Sequence, residues 1–142
     1  MFVGEYNHNI DAKGRVIFPA EFREVLGEKV YITLGFDGCL AAYDEAAWRE
    51  LEEKLSVLSV TDPKARKLQR SLLSKVQEAA FDKQGRVLIK ESLRNFAALT
   101  RDITMLGVGN RIEIWDTARW NEVNVDDFDS IAEQLGDLGF KM

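Results

Sequence analysis

Apolar and polar residues alternate along this chain in short runs that change period several times. Phe2–Tyr6 reads as a strand, and the polar stretch Asn7–Gly14 reads as turn. Val16-Ile17-Phe18 is a brief β-type run. Pro19 then opens a helix to about Leu26, because proline suits the first helical position and Gly27 suits the end. Val30–Leu34 and Cys39–Tyr43 predict strands joined by a Gly35–Gly38 turn. Asp44 predicts a helix cap, with Trp48, Leu51 and Leu55 on one stripe of the helix that follows. The same order then returns: a strand near Val76–Phe81, a turn at Asp82–Gly85 and a strand at Val87–Ile89. A helix at Glu91–Ala97, strands at Ile103–Leu106 and Arg111–Trp115, and a helix from Thr117 complete it.

The recurrence is written in the residues themselves. Asp11-Ala12-Lys13-Gly14-Arg15-Val16 comes back as Asp82-Lys83-Gln84-Gly85-Arg86-Val87, and Arg23 on the first short helix comes back as Arg94. Further on, Leu34-Gly35, Leu40, Tyr43-Asp44 and Trp48 answer Leu106-Gly107, Ile112, Trp115-Asp116 and Trp120. The chain is a duplicated unit. The expected organisation is a first unit at 1–55, a connecting loop and helix at 56–75, a second unit at 76–122 and an acidic amphipathic tail at 123–142. Each half is too small to bury much surface alone, so the two are expected to pack into one α+β body with pseudo-two-fold character.

Composition narrows the class. At 142 residues, 46% hydrophobic and 10% aromatic, the chain has ample material for a core. No apolar run approaches the roughly 20 residues of a membrane span, and the N-terminus lacks signal-peptide character. Cys39 is the only cysteine, so an intrachain disulfide is excluded. These features fit a cytoplasmic protein with no membrane partner. The formal charge of −5 is concentrated in residues 121–142, which hold six acids against Lys141. The rest is neutral overall and free to carry a local positive face. The connecting helix, Pro63–Lys75, has five basic residues and no acid, which reads first as a solvated face and second as a phosphate-facing one. In the tail, Val125, Phe128, Ile131, Ala132 and Leu135 have helical spacing, suited to packing on the body or on a neighbouring subunit.

The repeated phrase carries the chemistry. Gly14 and Gly85 permit positive φ, and so a sharp turn. Asp11 and Asp82 can accept from the turn's own N–H groups or orient the next arginine. Arg15 and Arg86 then leave the turn at a defined angle, suited to bidentate contact with guanine O6/N7 or with phosphate. Lys13 and Lys83 lie beside them as phosphate-seeking charges. A purely internal Asp–Arg tie is the alternative, and the two are compatible. An enzyme finds little support. His8 sits alone in a polar stretch, Cys39 lies in an apolar strand, Asp44 and Asp116 read as helix caps, and no metal, cofactor or nucleophile motif is present.

Asp-x-x-Gly-Arg-Val-Ile-Phe-Pro-Ala-Glu-Phe-Arg resembles the AbrB/SpoVT class of bacterial DNA-binding domains. Two such units in one short chain, with Met-Phe-x-Gly-Glu-Tyr at the start, Gly-Phe-Asp-Gly-Cys-Leu at 35–40 and Gly-Val-Gly-Asn-Arg-Ile-Glu-Ile-Trp at 107–115, resemble the MraZ family. The resemblance covers residues 1 to about 122. It implies a transcriptional regulator, a repressor of its own division and cell-wall operon, nucleoid-associated, binding short G-rich repeated boxes on double-stranded DNA. It also implies a homo-oligomeric ring. The family signature maps onto Asp11 and Arg15, and onto Asp82 and Arg86. The second copy departs from the pattern at Lys90, where the helix-opening proline would stand, and Phe18 occupies a position that is usually aliphatic. An oligomeric interaction scaffold without DNA specificity is the alternative function.

Overall fold

The computed structural model describes residues 1–123 and 127–142. Among the described residues eight strands and six helices follow one another: β1 Phe2–Asn9, β2 Arg15–Ile17, α1 Ala20–Leu26, β3 Lys29–Leu34, β4 Leu40–Tyr43, α2 Glu45–Ser56, α3 Pro63–Lys75, β5 Gln77–Ala80, β6 Arg86–Leu88, α4 Glu91–Phe96, β7 Asp102–Gly109, β8 Ile112–Asp116, α5 Thr117–Val123 and α6 Phe128–Asp137. No helix among the described residues is long and apolar enough to cross a membrane.

The two copies are woven together. A six-stranded antiparallel sheet runs in the order β1-β7-β8-β4-β3-β5, which reads the same from either edge once each strand is exchanged for its repeat. The first strand of each copy pairs with a strand of the other: β1 with β7 and β5 with β3. At the centre β4 meets β8, with Ala41 opposite its own counterpart Glu113. The short strands β2 and β6 pair separately as a two-stranded ribbon, and Val16 faces its counterpart Val87. A pseudo-two-fold axis therefore relates the copies at both places.

Burial follows the same exchange. One cluster joins Val16, Phe18, Phe22 and Val30 of the first copy to Val87, Ile89, Leu93 and Ile103 of the second. Phe18 is fully buried and packs edge-on against Phe81 of the second copy, ring centroids 5.4 Å apart, so the larger side chain at this position fills space between the copies. Trp48 is buried against Tyr31 and Tyr43, while Trp120 covers Trp115. Gly107 is required by close approach: a Cβ there would lie 2.4 Å from the Val3 nitrogen, where β1 crosses β7.

Several expectations need correction. Asn7–Asn9 are not turn but the end of β1, facing Thr104, Ile103 and Asp102. β1 is an edge strand with mostly exposed side chains, so it keeps its ladder without an apolar alternation. Asp44 caps α2, accepting from the Ala47 N–H at 2.8 Å, but Asp116 does not cap α5. Its Oδ1 instead accepts from the Thr100 N–H at 3.0 Å and hydroxyl at 2.6 Å, tying down the approach to β7. Lys90 adopts φ −58° and ψ 146°, close to Pro19 at −52° and 143°, so α4 starts at the position matching α1 without a proline. The connecting helix α3 buries no side chain; Thr33 holds it by donating to the Leu72 carbonyl at 3.0 Å. Val125 lies outside the described residues.

Because the first strand of each copy pairs only with the other copy, an isolated half keeps no more than a two-stranded hairpin, β3–β4 or β7–β8. Residues 1–62 expressed by themselves are expected to show no cooperative thermal unfolding by circular dichroism. Co-expression with residues 63–142 restores the transition. A cooperative transition in the isolated fragment would contradict the exchanged topology.

Candidate nucleic-acid interface

The ribbon and its two turns form the site. In the first turn the Asp11 N–H donates to the Arg15 carbonyl at 2.9 Å and the Gly14 N–H donates to the Asp11 carbonyl at 3.0 Å. The Asp11 side chain completes it. Oδ1 accepts from the N–H groups of Lys13 and Arg15, both at 2.9 Å, and Oδ2 accepts from Arg15 Nε at 2.7 Å. The second turn repeats this: Asp82 Oδ1 accepts from Gln84 and Arg86 N–H at 2.9 Å, and Oδ2 accepts from Arg86 Nε at 2.8 Å. Gly14 and Gly85 hold φ of +88° and +77°, the left-handed region that glycine enters without cost. The two expected readings of aspartate therefore hold together: each orders its own turn and grips its own arginine.

Electrostatics agree with the geometry. The Arg15 N–H first, then its guanidinium and the Lys13 N–H, hold the Asp11 carboxyl below its ordinary 3.8, against the opposing pull of partial burial. Asp82 is lowered in the same way by Arg86 and Gln84.

Each turn is roofed by the opposite copy. Arg94 Nε donates to the Ile89 carbonyl at 2.9 Å, which lays its guanidinium over Gly14; a Cβ on Gly14 would stand 2.8 Å from Arg94 Cζ. Arg23 Nε donates to the Phe18 carbonyl at 2.9 Å and lies over Gly85, where a Cβ would stand 2.6 Å from its Cζ. The backbone is cross-laced too, with Ile89 N–H donating to the Gly14 carbonyl at 3.0 Å and Phe18 N–H to the Gly85 carbonyl at 3.1 Å. Arg23 and Arg94 are visible in the sequence as a repeat, without a role attached. Their recurrence was the available signal; their crossing to the other copy's turn was not written locally.

Pairing then sets the face. Arg15 lies opposite Leu88, and Ile17 opposite Arg86. Alternation along a strand puts these four on one side and buries Val16 and Val87 on the other. Both arginines thus share one surface of a single chain, flanked by exposed Ile17 and Leu88. Their side chains are 32% and 26% exposed, neither sealed in nor loose. With Nε committed to aspartate, the Nη groups remain to donate; among the described residues Arg15 spends none of them, and Arg86 Nη2 makes one long bond, 3.3 Å, to Gln84. Lys13 and Lys83 stand exposed in the two turns. Two-stranded ribbons are narrow enough for a major groove about 12 Å wide, where guanidinium groups meet guanine acceptors.

The remaining candidates are structural. Cys39 is fully buried, donates to the Phe36 carbonyl at 3.2 Å, and has its thiol pushed up to about 12 by burial. Such a thiol is not a nucleophile at neutral pH. His8 is half-buried on β1, not in a loop.

These features define a duplicated module of the α+β class, two strand-rich units folded into one body about a pseudo-two-fold axis. The model of the MraZ protein family, whose description likens it to antitoxins, matches twice, over residues 1–71 and 72–134. The chain is 48% identical to the transcriptional regulator MraZ of Clostridium beijerinckii over 98% of its own length and 99% of that protein's. It is 46% identical to the transcriptional regulator MraZ of Clostridium tetani and 45% identical to that of Lactobacillus gasseri, with similar coverage. The chain belongs to the MraZ family of transcriptional regulators.

Lowered carboxyl values have a definite consequence for pH. A carboxylate held below its unfolded value of about 3.9 contributes its stabilisation fully above that value and loses it as pH falls through the folded one. Carbon-13 NMR of the Asp11 and Asp82 carboxyls is therefore expected to give midpoints below 3.8, with the turns intact at neutral pH and opening only under acid. In Arg15→Ala the Asp11 midpoint moves up towards the ordinary value. Midpoints at or above the ordinary value would show that the turns are not held this way.

Proposed function

We propose that the chain is a sequence-specific DNA-binding repressor of its own division and cell-wall operon. In this reading it is nucleoid-associated and binds repeated G-rich promoter boxes as a ring-shaped homo-oligomer. One observation carries the DNA reading: two aspartate-gripped arginines, one from each copy, share the outer face of a single ribbon. A side chain held by its Nε presents a fixed fork of Nη donors, the geometry that reads guanine O6 and N7.

Charge supports the reading. Lys13, Arg15, Arg23, Lys83, Arg86, Lys90 and Arg94 lie on the ribbon, its turns and the short helices α1 and α4 that follow it, against Asp11, Asp82, Glu21, Glu24 and Glu91. Two of those acids are already engaged by arginine. The acidic balance of the whole chain resides in residues 121–142 and does not oppose phosphate binding at the ribbon. Repetition supplies the affinity: copies joined in one assembly convert a weak reader into a strong one on repeated boxes through effective concentration.

Arg15→Ala is expected to cost about 1–3 kcal/mol of discrimination between promoter boxes and scrambled DNA in a gel-shift assay, with the size-exclusion profile unchanged. Unchanged discrimination would remove the assigned role. Lys13→Ala is expected to weaken binding equally on all sequences and to flatten the log–log salt dependence by about one. A change in sequence preference alone would mean that Lys13 touches bases, not phosphate.

A further inference from the structure

Among the described residues, two apolar surfaces lack partners within the chain. The first is a cleft of about 320 Å³ between α2, α3 and the β3–β4 turn, lined by Leu34, Phe36, Leu51, Leu68 and Leu72 among others. Phe36 at its edge is 76% exposed and Leu68 is 39% exposed. The second is α6, a helix of ten residues that buries no side chain. Its Phe128, Ile131 and Leu135 fall on one stripe, at 67%, 44% and 44% exposure. No residue of α6 lines the chain's own cleft. A helix this short is marginal in water without a packed face, and its spacing of three and then four residues is that of a helix seated in a groove.

Charge matches the two. α3 lines the cleft with Leu68 and Leu72 and carries Lys64, Lys67 and Arg70 on the surface around it, with no acid along its length; the charged residues of the lining itself are Lys54, Arg111 and Glu50, a net positive set. Among the described residues none of Lys64, Lys67 and Arg70 makes an ion pair. α6 carries Asp129, Glu133 and Asp137 with no base, and likewise no ion pair among the described residues.

We propose that α6 of one copy docks into this cleft of a second copy, with Phe128, Ile131 and Leu135 in the apolar floor and the acids of α6 against the bases of α3. The donating and accepting surfaces differ, so the contact is heterologous: each copy gives a helix to one neighbour and receives one from the other. Contacts of this kind close into a ring when the rotation permits. The inference rests on the proposed self-association and is independent of the DNA reading.

Light scattering on the full chain, without DNA, tests it. A helix variant, Phe128→Asp with Ile131→Asp, and a cleft variant, Phe36→Glu with Leu68→Glu, alter exposed positions. Near-UV circular dichroism of the buried Trp48 checks that each folds; Phe128→Ser with Leu68→Gln, made separately, serve if either does not. The unaltered chain is expected to be multimeric. Each variant alone is expected to need at least tenfold more protein to associate. An equimolar mixture regains one contact and pairs one to one, stopping short of a ring, because the helix variant keeps an intact cleft and the cleft variant an intact helix. A variant that keeps the mass of the unaltered chain, or a mixture that stays monomeric, overturns the docking while leaving a ring held by other surfaces. An unaltered chain that is monomeric at every concentration overturns docking and ring together.

Discussion

The pairing of β2 with β6 across the pseudo-two-fold axis is the constraint on which the rest depends. With Val16 opposite Val87, a buried seam runs under the ribbon and both arginines are forced to its outer side. A slip of one residue would invert every side chain on one strand and turn Arg15 towards the core. The register is secured from both ends, because each turn glycine accepts a backbone hydrogen bond from the other copy and lies beneath the other copy's arginine. Duplication thus does more here than double a motif. It lets each copy supply the brace for its twin.

Magnitudes separate what stabilises the fold from what aims the site. An exposed or half-exposed ion pair contributes about 0.2–1 kcal/mol, whereas full burial of one large apolar side chain contributes about 1.5–3 kcal/mol. The cluster shared between the copies contains many such side chains, Phe18, Phe22, Ile89 and Leu93 among them. The Asp11–Arg15 and Asp82–Arg86 pairs are minor terms in stability. Their consequence is orientation: each fixes a guanidinium by one nitrogen and leaves the opposite edge to donate. The same contact is made in both copies, at 2.7 and 2.8 Å.

Local features were legible in the sequence and long-range ones were not. The turn glycines, the Asp44 cap, the burial of Trp48 and Cys39 and the α+β body all follow from short-range chemistry: permitted φ, side-chain acceptors and apolar stripes. The polar end of β1 escaped notice because an edge strand needs no alternation; its evidence is the β7 ladder about a hundred residues away. Asp116 departs from expectation for a similar reason: a carboxylate ahead of a helix can cap it, but Thr100 on another loop takes its oxygen instead. The roofing arginines were visible as repeats, yet nothing local says that Arg94 serves Gly14 and Arg23 serves Gly85.

What the outer edge of the ribbon meets decides the role of both arginines. The most direct measurement is a structure of the full chain bound to a duplex from upstream of its own gene. The account predicts the β2–β6 ribbon facing the duplex, Arg15 Nη groups within hydrogen-bond reach of guanine acceptors or phosphate, and Nε still on Asp11. A complex in which the ribbon faces solvent, with the duplex held by another surface, would contradict it.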